Sequence, residues 1–192
     1  MAYATYTTDA IVCGTYRRNT ADASFLLFTR DLGMLFADAR SVREERSRQR
    51  YALQDFSRIR VSLVKGKTGW KIGSTEILEN FYHDAPSRAG RGLVVSLTRF
   101  IRRFCQGEAH DAILYDNVIE AFYFVMRDTH VPTVLSRLIE VRLLVHLGYV
   151  PRSVTGDWCL RPLSDYHEQV VPYPDSVLLD RLYTAAINAS QL

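Results

Sequence analysis

Apolar and polar residues alternate with a two-residue period through most of the first 80 positions, then recur with a helical period beyond them. Thr7–Thr15 suits a strand and Ser24–Thr29 is a second apolar run, with Asp31-Leu32-Gly33 supplying a short turn into a third strand over Met34–Arg40. Leu35, Ala37 and Ala39 share one side of that strand. Met34, Phe36, Asp38 and Arg40 share the other, which is expected to face water because it ends in charge. Phe56–Val64 alternates again, with Ile59, Val61 and Leu63 opposite Arg58, Arg60 and Ser62. A glycine-containing reversal at 65–69 returns the chain along Trp70–Leu78. Five short strands joined by turns favour a small closed sheet over a flat one with bare edges.

Past Phe81 the punctuation changes. The polar, glycine-containing stretch 84–92 reads as a connector, with a boundary near 80–90. Leu93, Val94, Leu97, Phe100, Ile101 and Phe104 recur at helical spacing, leaving Arg99, Arg102 and Arg103 on or beside the polar face. Ile113, Leu114, Val118, Ile119, Phe122, Val125 and Met126 form a second stripe. Pro132 suits the start of a third helix, which runs through Leu135, Leu138, Ile139, Leu143 and Leu147 to a stop at Gly148 and Pro151. Asp175 or Ser176 can cap a last helix containing Val177, Leu178, Leu182 and Ile187. The predicted class is α+β: a five-stranded barrel over residues 1–80, followed by an α-helical domain over 81–192.

At 192 residues and 47% hydrophobic content the chain can bury a substantial core, so intrinsic disorder is excluded. Its net charge is +3, distributed as +4 over residues 1–80 and −1 over residues 81–192. Cys13, Cys105 and Cys159 lie far apart, without the paired spacing of a disulfide framework or a cysteine zinc site. The N-terminus lacks the basic start and long apolar run of a signal peptide, and no stretch approaches the length of a membrane span. A soluble, cytoplasmic protein is expected.

The candidate chemistry is that of binding. Arg40, Arg43, Arg46, Arg48 and Arg50 fall within eleven residues, and a guanidinium fork suits phosphate oxygens. Arg58 and Arg60, with Lys65, Lys67 and Lys71, extend this surface if the two regions lie side by side. The same loop also reads as a solvated charge run, with Glu44 and Glu45 forming local ion pairs. Phe36 and Phe56 can act as stacking platforms for unpaired bases or pack beneath neighbouring loops. Glu108, His110 and Asp111 are potential metal ligands, yet they stand where a helix begins and acidic residues there favour the helix dipole. His146 reads as a partnered core histidine, His83 as isolated, and Asp165, His167 and Glu168 as a polar loop. A phosphate-cradling glycine loop and a dinucleotide fingerprint are both missing, and no catalytic residues, metal site or cofactor are expected.

Ala10–Tyr16 and Leu27–Arg40, then the basic loop to Arg50, then Leu53–Gly66 and Trp70–Leu78, and finally Arg137–Pro151 together resemble the bacterial recombination mediator RecO family. The resemblance covers roughly residues 7–151 in order. It implies an N-terminal OB-fold and a helical C-terminal region, and binding of single- and double-stranded DNA. It further implies strand annealing and loading of the RecA recombinase in DNA repair, with RecR and single-strand-binding protein as partners. Many family members carry a four-cysteine zinc module after the turn that corresponds to Pro151. Here only Cys159 falls in that region, so no zinc is expected, and the chain is shorter than is usual for the family. A protein–protein adaptor with a barrel that does not bind DNA is the alternative reading, and a metal-dependent hydrolase built on Glu108, His110 and Asp111 a third.

Overall fold

A computed structural model describes residues 4–127, 133–167 and 172–190. The first five elements are strands β1 (Thr5–Arg17), β2 (Ala23–Thr29), β3 (Gly33–Ala39), β4 (Ser57–Gly66) and β5 (Gly69–Asn80), with the short helix α1 (Gln49–Ala52) between β3 and β4. They close into a barrel in the order β1-β2-β3-β5-β4. Neighbours pair antiparallel, except that β3 meets β5 in parallel through only two residue pairs, Ala37 with Trp70 and Asp38 with Lys71. Five strands so closed, followed by helices, form an OB-fold with a helical region behind it.

Alternation fills the barrel. Ala10, Val12, Phe25, Leu27, Leu35, Ala37, Ile59, Val61, Leu63 and Trp70 make one buried cluster. The helices follow: α2 (Phe81–Asp84), α3 (Arg88–Phe104), α4 (Ala112–Arg127), α5 (Thr133–His146), α6 (Leu163–His167) and α7 (Ser176–Ser190). Their core also takes in Ile11, Cys13, Leu26, Phe28 and Met34 from the other side of β1, β2 and β3. Every residue of β2 is therefore buried. Met34 corrects the expectation that its side of β3 faces water: at 7% exposure it lies under the helices, and that side opens to solvent only from Phe36 onward.

Close contact at this junction explains Gly33. Its φ of +70° suits glycine, and a Cβ there would stand 2.5 Å from the backbone of Ala109. The β2–β3 turn can thus press against the α3–α4 loop, where the Met34 N–H donates to the Gly107 carbonyl at 2.9 Å.

The expected connector is mostly helix. Asn80 caps α2 by accepting from the N–H groups of Tyr82 and His83, and Ser87 caps α3 by accepting from Gly90 N–H. Proline and two glycines hide that start in the sequence. Asp111 Oδ1 accepts the Leu114 N–H at 2.8 Å at the start of α4, while its Oδ2 lies 2.9 Å from His146 Nε2 on α5. Helix α5 closes with Tyr149 N–H on the Leu144 carbonyl. Pro132 and Glu168 lie outside the described residues. The three cysteines are buried and unpaired, and burial pushes the Cys13 and Cys105 thiols up to about 12. Among the described residues no helix is long and apolar enough to cross a membrane, and no three His, Cys, Asp or Glu side chains are grouped to hold a metal.

Candidate nucleic-acid interface

The β3–β5 seam lies in the floor of an open groove of about 560 Å³, lined by Arg18, Asp22, Asp38, Ala39, Arg40, Gln49, Thr68, Lys71, Ile72 and Gly73. The turn from β1 to β2 forms one bank, and the turn from β4 to β5 with the first residues of β5 forms the other. The arginine-rich segment crosses between them because it is tied at both ends. On the first bank Arg43 donates to the Asn19 carbonyl, its N–H to the Ala21 carbonyl at 3.0 Å, and Ser41 N–H to Asp22 Oδ1 at 2.8 Å. On the second, Gln49 Nε2 donates to the Gly73 carbonyl at 2.7 Å.

Arg40, Arg43, Arg46 and Arg48 are exposed along this crossing, as are Lys67 and Lys71 on the second bank. None of the six makes an ion pair with another described residue. Arg50 turns onto its neighbour, with its guanidinium 4.8 Å from the Tyr51 ring centroid and a hydrogen bond to the Tyr51 hydroxyl. Two carboxylates temper the groove. Asp38 pairs with Arg18 at 3.2 Å. Asp22 is held below the usual carboxylate range by the Asn19 side chain and the Ser41 N–H, with Arg40 and Arg18 adding to the effect.

Phe36 stands beside the groove at 55% exposure, two residues before Asp38 on the same side of β3. Tyr16 meets it edge-on, with centroids 5.4 Å apart, and Arg102 of α3 donates to the Tyr16 hydroxyl at 2.8 Å. One ring face beside several cations is the local chemistry that holds a base and its phosphate.

The remaining expected residues lie elsewhere. Arg58 is paired with Glu79 at 3.1 Å and Asp9 at 3.3 Å, and Arg60 shares Asp9 at 3.0 Å. In the barrel register Arg58 faces Glu79 whereas Val64 faces Lys71, so Arg58 sits six residues along β4 from the level of the groove, roughly 20 Å, and Arg60 four, roughly 13 Å. Burial works against the Arg58 charge, but Glu79 and its neighbours more than offset it and hold the guanidinium firmly protonated. Lys65 leans on the Trp70 ring and bonds Glu108 at 3.0 Å. The Trp70 indole N–H, then Lys65, hold the Glu108 carboxyl below its ordinary range. Glu108 thus serves the barrel, and the helix-capping role falls to Asp111. Phe56 does not offer a face: with φ of +70° it turns from the strand, stacks on Tyr82 at 5.3 Å and packs against the helical core.

Residues 1–81, the whole barrel, match the model for the N-terminal domain of recombination protein O. The DNA repair protein RecO of Symbiobacterium thermophilum is 29% identical over 157 residues, which is 77% of this chain and 58% of that protein. That of Desulforudis audaxviator is 30% identical over 149 residues, 76% of this chain and 58% of that protein. The barrel of this chain belongs to the RecO N-terminal family. The chain spans less than two thirds of the length of these relatives, and the RecO protein of Clostridium novyi, 24% identical, repeats the proportion with 75% of this chain aligned to 56% of that protein.

Within this RecO-family barrel, four groups that composition did not single out join the candidate surface: Tyr16, Arg18, Gln49 and Arg102. The Arg17-Arg18 pair at the end of β1 was the available signal, since a turn beside an arginine-rich segment can share its field. Tyr16 and Arg102 meet across 86 positions, and only the fold joins them.

Arg58 and the groove cations are separable by mutation. Arg58→Ala leaves Asp9 and Glu79, whose side chains are 15% and 18% exposed, without their shared cation. The expected cost is about 1–3 kcal/mol in denaturant melts, with oligonucleotide affinity unchanged. Lost affinity at unchanged stability would return Arg58 to the interface.

Proposed function

We propose that this chain is a RecO-like recombination mediator that binds single- and double-stranded DNA and promotes strand annealing and RecA loading in DNA repair. The observation that carries the reading is the groove at the β3–β5 seam, lined by Arg40 and Lys71, with Arg43, Arg46, Arg48 and Lys67 exposed on the segments that border it, Phe36 exposed on β3, and none of the six cations ion-paired with another described residue. OB-folds take oligonucleotides on a face that includes strand 3, between the β1–β2 and β4–β5 loops; residues of β3 and of both loops line the groove, while β2 is covered by the helices. The relatives' name, DNA repair protein, agrees in process. Arg40, Arg43, Arg46, Arg48, Lys67 and Lys71 hold phosphates while Phe36 stacks a base. Annealing then follows from neutralised backbone charge, which lets two strands approach within the positive field. RecR and single-strand-binding protein are the proposed partners, and no catalytic group or cofactor enters the mechanism.

The test is a titration of single-stranded DNA across salt concentrations, with and without single-strand-binding protein. Salt-sensitive binding by the chain is expected. Phe36→Ala should weaken it by about 1–3 kcal/mol, one lost stacking contact. Absence of DNA binding at low salt would overturn the reading and favour a protein–protein adaptor.

A further inference from the structure

Helix α3 carries five arginines, Arg88, Arg91, Arg99, Arg102 and Arg103, and no acidic residue. At 3.6 residues per turn all five fall within an arc of about 120°. The opposite side, Val94, Leu97, Phe100, Ile101 and Phe104, is buried in the helical core. Arg88, Arg91, Arg99 and Arg102 therefore form a line about 21 Å long on the outside of the molecule, while Arg103 lies half-buried over Phe104 at its edge. Arg88, Arg91 and Arg99 are exposed and make no ion pair with another described residue. At its C-terminal end the line reaches the barrel, where Arg102 bonds Tyr16 next to Phe36.

Gly92 lies inside the same arc. A Cβ built there meets nothing within 4 Å, and its φ is not positive, so neither packing nor backbone conformation asks for glycine. In a helix interior that choice costs about 1 kcal/mol relative to alanine. What it leaves is a notch among the arginines where another backbone can come close to the helix.

We propose that the α3 arginines form a second phosphate track, continuous with the barrel site, along which the same single strand runs on after leaving Phe36. The inference rests on the DNA-binding reading above and extends its site. A line of cations fits a linear polyanion, and about 21 Å corresponds to roughly six nucleotides at 3.4 Å each. A lipid surface is disfavoured because the apolar side of α3 is already covered by protein. An acidic protein surface would also complement the charge, and the test separates it from DNA.

The experiment compares oligothymidines of about 6 and about 16 nucleotides, within the range of OB-fold site sizes, for the full chain and for the triple variant Arg88→Gln, Arg91→Gln, Arg99→Gln. These three positions leave the Arg102–Tyr16 contact in place. The unaltered chain should bind the longer strand more tightly and with a steeper salt dependence. The triple variant should keep its affinity for the short strand, and its log–log salt slope for the long strand should fall by about 2, at 0.7 per lost phosphate contact. A triple lysine variant should restore most of that slope, since it keeps the charge. Unchanged long-strand binding in the glutamine variant would overturn the track and leave α3 to an acidic protein. Equal loss for both lengths would overturn the continuity and make α3 part of the barrel site. If the unaltered chain binds neither strand, the barrel reading fails and the track fails with it.

Discussion

Replacing Arg40, Arg46 and Arg48 together with glutamine is expected to weaken single-stranded DNA binding by on the order of a hundredfold at low salt, and to lower the log–log salt slope by about 2. All three are exposed, and none takes part in the hydrogen bonds that tie the segment to its two banks. The loss should therefore be one of charge, with the fold intact. Arg43 is left in place because it also bonds the Asn19 carbonyl. Because released counterions drive this binding, the deficit should shrink as salt rises and vanish where non-electrostatic contacts dominate. Fluorescence anisotropy at four or five salt concentrations measures both quantities. A parallel downward shift with unchanged slope would mean that the arginines shape the site without touching phosphate.

Phe81→Ala is expected to be the most damaging single change to stability. Phe81 follows directly on β5, is 0% exposed, and stacks on Phe122 of α4 with centroids 4.5 Å apart and planes 5° from parallel. Tyr123 meets its edge at 5.8 Å. Truncating a ring so enclosed costs about 3–5 kcal/mol, or roughly 6–20 °C of melting temperature in a chain of this size. Calorimetry checks the magnitude. We propose the division between residues 1–80 and 81–192 as an architectural one. Ile11, Cys13, Leu26, Phe28 and Met34 lend their outer sides to the helical core, so the two parts should melt together. Two separate transitions would show that the barrel stands alone.

The strands were legible because a half-buried strand writes its two sides as alternating residue types. In β4, Ile59, Val61 and Leu63 point inward between polar partners, and the reading is direct. In β2 all seven residues are buried, so periodicity vanishes and a continuous apolar run remains. The run announced a strand but not which half of its surroundings was barrel and which was helix. Met34 reads as exposed because its side of β3 ends in charge, while the helical core that buries it comes from far along the chain. The start of α3 was obscured by Pro86, Gly90 and Gly92, local signals outweighed by a buried apolar side.

The candidate site was legible as a list of charges but not as an arrangement. Arg58 and Arg60 look as available in sequence as Arg46 and Arg48. What separates them is Asp9, about fifty positions away, and Glu79 across the β4–β5 hairpin. Phe36 and Phe56 are likewise indistinguishable until the positive φ at Phe56 turns its ring onto Tyr82.

The barrel closes by two residue pairs where β3 meets β5, and by seven or more at every other junction. A polyanion bridging Arg40 on one lip and Lys71 on the other would act as a clasp over that narrow fastening. Its binding energy would be added to the work of opening the cylinder, so ligand occupancy and closure are thermodynamically linked.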